Sequence, residues 1–191
     1  MNKNIHYIDV MSEDAAKHLG NIFLSKIQNE IYAHRRLIIL CIGTDRATGD
    51  CLGPITGHML KTSALKHDVS IYGTLEKPVH AKNIQQTMDY IQAAHEDPFI
   101  AAVDACLGKS ESVGYITIGE GPVNPGAGLS KSLPTVGDIS ITGIVNVATG
   151  MDFAVLQNTR LNLVMKMAEV ITDGIYMGLE NLEKGPGRIV G

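Results

Sequence analysis

The chain has 191 residues, of which 45% are apolar and 19% are charged, and its formal net charge is −4. This composition is typical of a globular protein, and the length suits one domain with a substantial core. The negative balance offers no basic surface for nucleic acid. No apolar run reaches the roughly 18 residues of a membrane-spanning helix. We therefore expect one domain over residues 1–191, with residues 185–191 as a flexible tail, and neither a nucleic-acid nor a membrane partner.

The cysteines and the first residues of the chain indicate in which cellular compartment the protein is expected. Cys41, Cys51 and Cys106 have no metal-type spacing and do not form a disulfide framework. The opening residues lack the apolar core of a signal peptide, so a cytoplasmic location is expected.

The first half of the chain predicts a helix, a buried strand and a second helix. Ser12 is a candidate N-cap for a helix with apolar residues at helical spacing over 19–31. The unbroken apolar run 37–42 is typical of a central parallel strand. Pro54 suits the first turn of the next helix. Gly53 and Gly57, four residues apart, predict a small-residue helix face that approaches the sheet closely.

The remaining patterns predict four further strands. They cover residues 69–75, 99–103, 113–118 (an edge strand) and 139–145, and a helix over 84–91 lies between the first two. Residues 119–138 read as a long loop with a helical turn at 129–133. Asp152 is predicted to cap one last helix, with Phe153 among its apolar positions. The fold expected is a three-layer α/β/α sandwich with a mostly parallel sheet of five or six strands.

Two aspartates follow two of the buried strands. Asp50 lies in the loop after strand 37–42, and Asp104 ends strand 99–103. Chemistry in open α/β sheets gathers at the carboxyl ends of strands. Two close carboxylates can divide the work of base and acid, or can bind one divalent metal. The alternative is structural, with Asp50 capping the helix and Asp104 forming an Asx-turn.

Other candidates are weaker. Asp45 lies in the same loop as Asp50, where a surface role is favoured over substrate binding. His80 follows the strand 69–75 and could be a base, a ligand or an ordinary helix-start residue. Cys51 and Cys106 each lie within two residues of a candidate aspartate, and inert buried thiols are favoured there. The glycine-rich stretch with Asn124, Gly126 and Gly128 is not a phosphate loop, and it is either a turn or a substrate-binding flap.

Four motifs resemble one family. Residues 42–54, 103–105, 124–128 and 144–152, in this order, are similar to the YyaC sporulation protein family. That family in turn resembles the germination protease of spores and, more distantly, the hydrogenase maturation endopeptidases. The resemblance covers roughly residues 36–180.

The resemblance implies a phosphorylase/hydrolase-like sandwich and an aspartate-dependent endopeptidase. Asp50 and Asp104 match the two aspartates of the germination protease, and would activate water without a metal or other cofactor. Asp45, His80, Asn124, Gly126 and Gly128 would contact the substrate, with small acid-soluble spore proteins as expected partners. The forespore or spore core is then an expected location.

Two alternatives stay open. The short chain and an altered Gly-Pro loop favour a non-catalytic binding or regulatory protein on the same fold. A divalent-metal hydrolase using Asp50, Asp104 and His80 is the other, although no histidine follows His95 to complete a metal triad from the second half of the chain.

Overall fold

The structure is a computed structural model that describes residues 5–63, 69–125 and 134–183. The strands are β1 Ile5–Asp9, β2 Leu37–Cys41, β3 Val69–Tyr72, β4 Phe99–Gly108, β5 Tyr115–Glu120 and β6 Ile139–Val147. The helices are α1 Ala15–Tyr32, α2 Leu52–Thr62, α3 Ile84–Ala94, α4 Asp152–Gln157 and α5 Leu161–Glu183. Two short 3-10 turns, Thr48–Cys51 and Ser110–Ser112, precede α2 and β5.

All six strands form one sheet in the order β1-β5-β6-β4-β2-β3. The pairs β2–β3, β2–β4 and β4–β6 are parallel, and β1–β5 and β5–β6 are antiparallel. The predicted α/β class with a mostly parallel sheet is confirmed. The predicted edge position of strand 113–118 is wrong, because β1 pairs with β5 and takes the edge. The short β1 has little apolar alternation, and no strand was predicted there.

Helices cover both faces of the sheet. On the first face, buried residues of α1, α2 and α5 pack against β1, β2, β4, β5 and β6. On the second face a smaller core joins α3 to β2 and β4, and its buried members include Ile38, Leu40, Ile84, Ile91 and Ala102. β2 is buried at every position, because helices cover both faces of the sheet at this strand. A strand in this middle layer has no polar side.

The close approach of α2 to the sheet is confirmed. A Cβ atom added to Gly53 would lie 2.0 Å from the carbonyl oxygen of Ile42, and one added to Gly57 would lie 2.0 Å from that of Gly73. Only glycine permits this contact between a helix and the backbone beneath it. The start of α2 is thereby fixed against the carboxyl end of β2.

Two helix predictions need correction. The first helix begins at Ala15 rather than after Ser12, and no side chain caps it. The last helix is two helices, because the Asn158 amide and Thr159 hydroxyl donate to the carbonyls of Ala154 and Val155 and end α4. Phe153 is 64% exposed rather than buried in a helix core.

The predicted turn at 129–133 and the tail 185–191 lie outside the described residues. The described ends of the loop 119–138 pair with each other through Val123 and Val136. Among the helices described, none has the length and apolar character needed to cross a bilayer.

Candidate active site

A cavity of about 660 Å³ opens at the carboxyl edge of the parallel strands. Its wall combines the loop and turn after β2, the segment after β3, the ends of β4 and β6, the loop after β5, and α4. The lining residues include Thr44, Arg46, Asp50, His80, Lys82, Asp104, Asn124, Ser140, Thr142, Asp152, Phe153 and Leu156. The two predicted catalytic aspartates therefore face one cavity.

Asp104 is the most deeply buried polar group of the site. It lies within β4, paired with Thr142 of β6, and is 9% exposed. The Ala105 N–H donates to its Oδ1 at 2.9 Å. Burial, and next the charge of Asp50, raise the pKa of Asp104 well above its ordinary value. The carboxylate accepts from its immediate neighbour, which is not the Asx-turn of the structural alternative.

Asp50 lies in the 3-10 turn Thr48–Cys51, just before α2. The Thr44 N–H donates to the Asp50 carbonyl at 3.1 Å, which folds the loop back onto the turn. No side chain caps α2, so the capping alternative for Asp50 is not observed. Burial raises the pKa of Asp50, while a hydrogen bond from the Thr44 backbone and the nearby charge of His80 act in the opposite direction.

Gly43 makes this loop possible. It has a φ of +141°, and a Cβ atom there would lie 2.0 Å from the Asp50 carbonyl oxygen. Any larger residue would push the turn that carries Asp50 away from the end of β2. The position of the carboxylate thus depends on a glycine seven residues earlier in the chain.

His80 is held by the start of α3. Its backbone N–H donates to Asn83 Oδ1 at 2.8 Å, and its ring Nδ1 accepts from the Lys82 N–H at 3.3 Å. These two contacts fix the backbone and the ring of His80 at the cavity wall.

The remaining predicted substrate residues fall in different places. Asn124 lines the cavity, and so do Thr44 and Arg46, the residues on either side of Asp45. Asp45 itself is exposed and is not part of the cavity wall. Gly126 and Gly128 lie outside the described residues.

The cysteines are free thiols, and the structure gives them no nucleophilic character. Burial, then the charges of Asp45 and Asp50, raise the pKa of Cys51. Burial and the charge of Asp104 raise the pKa of Cys106 to about 12. A thiol must ionise to attack, so the carboxylates beside these two groups oppose that role.

No three His, Cys, Asp or Glu side chains in the described ranges 5–63, 69–125 and 134–183 are grouped so as to hold a metal ion. Asp50, Asp104 and His80 share the cavity without forming such a cluster.

Sequence reasoning missed the contribution of α4. Asn146 at the end of β6 donates through Nδ2 to Val155 O at 3.5 Å and to Thr159 Oγ1 at 3.2 Å, and so anchors α4 over the cavity. Asp152 begins this helix, and its Oδ1 is buried without a hydrogen-bond partner. Both residues fall in the motif 144–152, but a continuous-helix prediction left no reason to place them at the site.

The fold places the chain with one class of known structures. A crystal structure of the NiFe-hydrogenase maturation protease HycI from Thermococcus kodakarensis KOD1 aligns with a TM-score of 0.52 at 18% identity, over 76% of this chain and 93% of that one. The molecule therefore has the α/β fold of the hydrogenase maturation proteases.

Sequence comparison is more specific. Residues 7–174 match the family described as Protein of unknown function (DUF1256), and the chain belongs to this family. The Bacillus subtilis (strain 168) protein named Uncharacterized protein YyaC is 48% identical over 171 residues, which is 90% of this chain and 82% of that protein. The predicted resemblance to the YyaC family is confirmed.

Proposed function

We propose that the chain is an endopeptidase in which Asp50 and Asp104 activate a water molecule against a peptide carbonyl. One observation carries the proposal: the carboxylates of Asp50, in the turn before α2, and Asp104, within β4, line one cavity but have unequal surroundings. Asp104 is buried within the sheet, whereas Asp50 lies in a turn beside His80. Paired carboxyl groups whose environments separate their pKa values can serve as acid and base.

The difference between the two environments assigns the roles. Burial and the Asp50 charge both favour the protonated form of Asp104, which can donate its proton to the substrate carbonyl oxygen or the leaving amine. Burial raises the pKa of Asp50 too, but less than that of Asp104, because the Thr44 backbone and His80 act in the opposite direction. Asp50 is therefore the carboxyl that ionises first and can accept a proton from water. The two titrations belong to the pair, since ionising one carboxyl hinders the other.

His80 acts as a positioning and electrostatic residue in this scheme. Its Nδ1 is occupied by the Lys82 N–H, so the ring cannot rotate freely. Because His80 lines the cavity, its ring can stabilise the Asp50 carboxylate, a water molecule or the developing oxyanion. Loss of the ring should therefore impair the reaction less than loss of either carboxyl.

The proposed substrate is an extended protein segment. A cavity of about 660 Å³ holds several residues, and Asn124 offers an amide for backbone recognition at one side. The resemblance to the germination protease supports small acid-soluble spore proteins as substrates and a role in sporulating cells.

The test is incubation of the purified protein with small acid-soluble spore proteins, followed by mass spectrometry of the fragments. We expect Asp104→Asn to slow cleavage about 10²- to 10⁴-fold, the usual contribution of a general acid or base. The matched control is Asp173→Asn, an exposed aspartate on α5 outside the cavity. Cleavage that survives Asp104→Asn unchanged would remove the pair from the mechanism.

A binding protein without catalysis is the second candidate. The wall contributed by Phe153 and Leu156 is apolar and could hold a peptide without hydrolysing it. Retention of intact spore protein by the wild type, with no fragments at any pH, would favour this candidate. Assays with and without a chelator distinguish a metal-dependent hydrolase from the two candidates above. Only the metal-dependent hydrolase would lose activity on chelation.

A further inference from the structure

Asp152, at the start of α4, is partly buried, and the burial falls on one of its two carboxylate oxygens. Its Oδ1 is shielded from solvent, and no hydrogen-bond donor in the described residues reaches it. The side chain does not cap α4, since Met151 is the N-cap residue and no side-chain cap bond forms. A charged oxygen taken out of water without a donor is costly, and native structures usually supply that donor from a neighbour or a ligand.

The surroundings of Asp152 indicate what kind of donor would fit. Asp152, Phe153 and Leu156 all line the cavity from α4. Phe153 is 64% exposed, and Met151 next to it is 70% exposed. A lysine or arginine side chain has an aliphatic stem that packs on such apolar surface and a cationic head that pairs with a carboxylate.

Among the residues that the structure describes, the cations of the cavity wall do not fill this role. Arg46 and Lys82 line the same cavity, but both side chains are exposed and neither donates to Asp152 Oδ1. Asp152 is itself only partly buried and lines the cavity, so a cation that enters the cavity from outside the chain can reach its side chain.

The position of Asp152 is fixed relative to Asp50. Asn146 anchors α4 from β6, and Gly49 of the Asp50 turn lies directly beneath α4. A Cβ atom on Gly49 would lie 2.8 Å from both Leu156 Cδ2 and Thr159 Oγ1. A group bound at Asp152 would thus be held at a constant distance from the proposed base.

We infer that Asp152 and Phe153 form a subsite for a lysine or arginine side chain of a bound peptide. The inference rests on the proposed function only in taking the occupant to be a peptide substrate. The subsite selects the segment to be cut by its positive charge, while Asp50 and Asp104 act on the backbone next to it.

The test uses blocked alanine heptapeptides that carry a single lysine, norleucine or glutamate at each position in turn. Their binding to the Asp104→Asn protein is measured by calorimetry, so that hydrolysis cannot interfere. For at least one position we expect the lysine peptide to bind about 10- to 100-fold more tightly than norleucine, as is typical of a charge-assisted hydrogen bond. Glutamate should bind least well.

Asp152→Asn should abolish the preference for lysine over norleucine, and Asp173→Asn should leave it intact. Because Oδ1 has no partner, Asp152→Asn should keep the parent melting temperature, which confirms that the variant is folded. Equal binding of lysine and norleucine at every position, or a preference that survives Asp152→Asn, would overturn the inference.

The two proposals fail in different ways. A charge preference in binding without cleavage of any peptide by the wild type would reject the endopeptidase and keep the subsite. Cleavage with no preference for a basic residue would reject the subsite and keep the endopeptidase.

Discussion

The two faces of the sheet differ in how completely helices cover them. On the first face, α1, α2 and α5 pack an apolar core against five strands. On the second face, α3 covers β2 and the first half of β4, where Ile100 and Ala102 are buried with it. Asp104 follows two residues after Ala102 on the same side of β4, beyond the reach of α3. The cavity lies where the second helical layer ends, and loops after β2, β3 and β5 together with the short α4 form its wall there.

The site therefore depends on close packing of helices on one face of the sheet and on incomplete helical coverage of the other. The tight glycine contacts of α2 place Asp50 at the edge of the sheet, and the gap beside α3 lets Asp104 face a cavity instead of a helix.

The packed face should not tolerate a side chain at Gly53. We expect Gly53→Ala to destabilise the protein by about 3–5 kcal/mol or to prevent folding, because the added Cβ would lie 2.0 Å from Ile42 O and neither backbone can move far. Chemical denaturation measures this. Gly114→Ala is the control, since Gly114 has a φ of +96° but nothing within 4 Å. It should cost only about 1–2 kcal/mol for the left-handed backbone.

The burial of Asp104 on the less completely covered face should make the stability of the protein depend on pH. The pKa of Asp104 is raised above 3.8 in the folded state, so the folded protein binds more protons than the unfolded chain just above that pH. This contribution is fully present below about pH 3.8 and is lost as pH rises towards the folded pKa. The loss is about 1.4 kcal/mol per pH unit within that window.

Asp104→Asn removes this contribution together with the effect of Asp104 on Asp50, and leaves the other carboxyl groups in place. The variant should be more stable than the wild type at neutral pH, and the difference should shrink as pH falls to 4. Urea denaturation at several pH values measures both curves. Parallel curves would show that Asp104 ionises freely in the folded protein, contrary to its burial.

Gly49→Ala tests the contact between the Asp50 turn and α4. The added methyl group would lie 2.8 Å from Leu156 Cδ2 and Thr159 Oγ1 and 3.1 Å from the Leu156 carbonyl oxygen, so these two side chains must move and the end of α4 must give way by a few tenths of an ångström. We expect a loss of about 1–2 kcal/mol in stability, as for a modest overpacking, and a larger fractional loss of peptide binding. Binding that is unaffected would show that α4 is not part of the site.

The smallest effect on stability is expected at the cavity mouth. Phe153→Ala should change the free energy of unfolding by less than about 0.5 kcal/mol, because the ring is 64% exposed. Peptide binding should nevertheless weaken. Tyr90→Ala, which removes a 62% exposed ring outside the cavity wall, is the control and should leave binding unchanged.

Much of the fold was accessible from local patterns. The apolar run before Gly43 predicted β2, because a strand buried on both faces has no polar positions. Gly53 and Gly57 predicted the close approach of α2, because small residues four apart share one helix face. The parallel arrangement then brought Asp50 and Asp104 to the same edge of the sheet.

Other features depend on contacts between distant parts of the chain. The apolar spacing of residues 153–175 continues through a helix break, which is produced by hydrogen bonds from Asn158, Thr159 and Asn146. The edge position of β1 depends on its pairing with β5, more than a hundred residues later. The hydrophobic periodicity of residues 153–175 and of β1 does not indicate the helix break or the strand pairing.

Burial period and strand direction can be read from the amino-acid pattern, and they are enough to predict the layers, the parallel centre of the sheet and the pair of acids at its edge. Three features required the assembled fold: Asp104 is the more buried of the two acids, Asp45 lies outside the cavity, and α4 brings Asp152 to the cavity wall. Burial and charge separation are properties of assembled surfaces, and they depend on which distant segments meet.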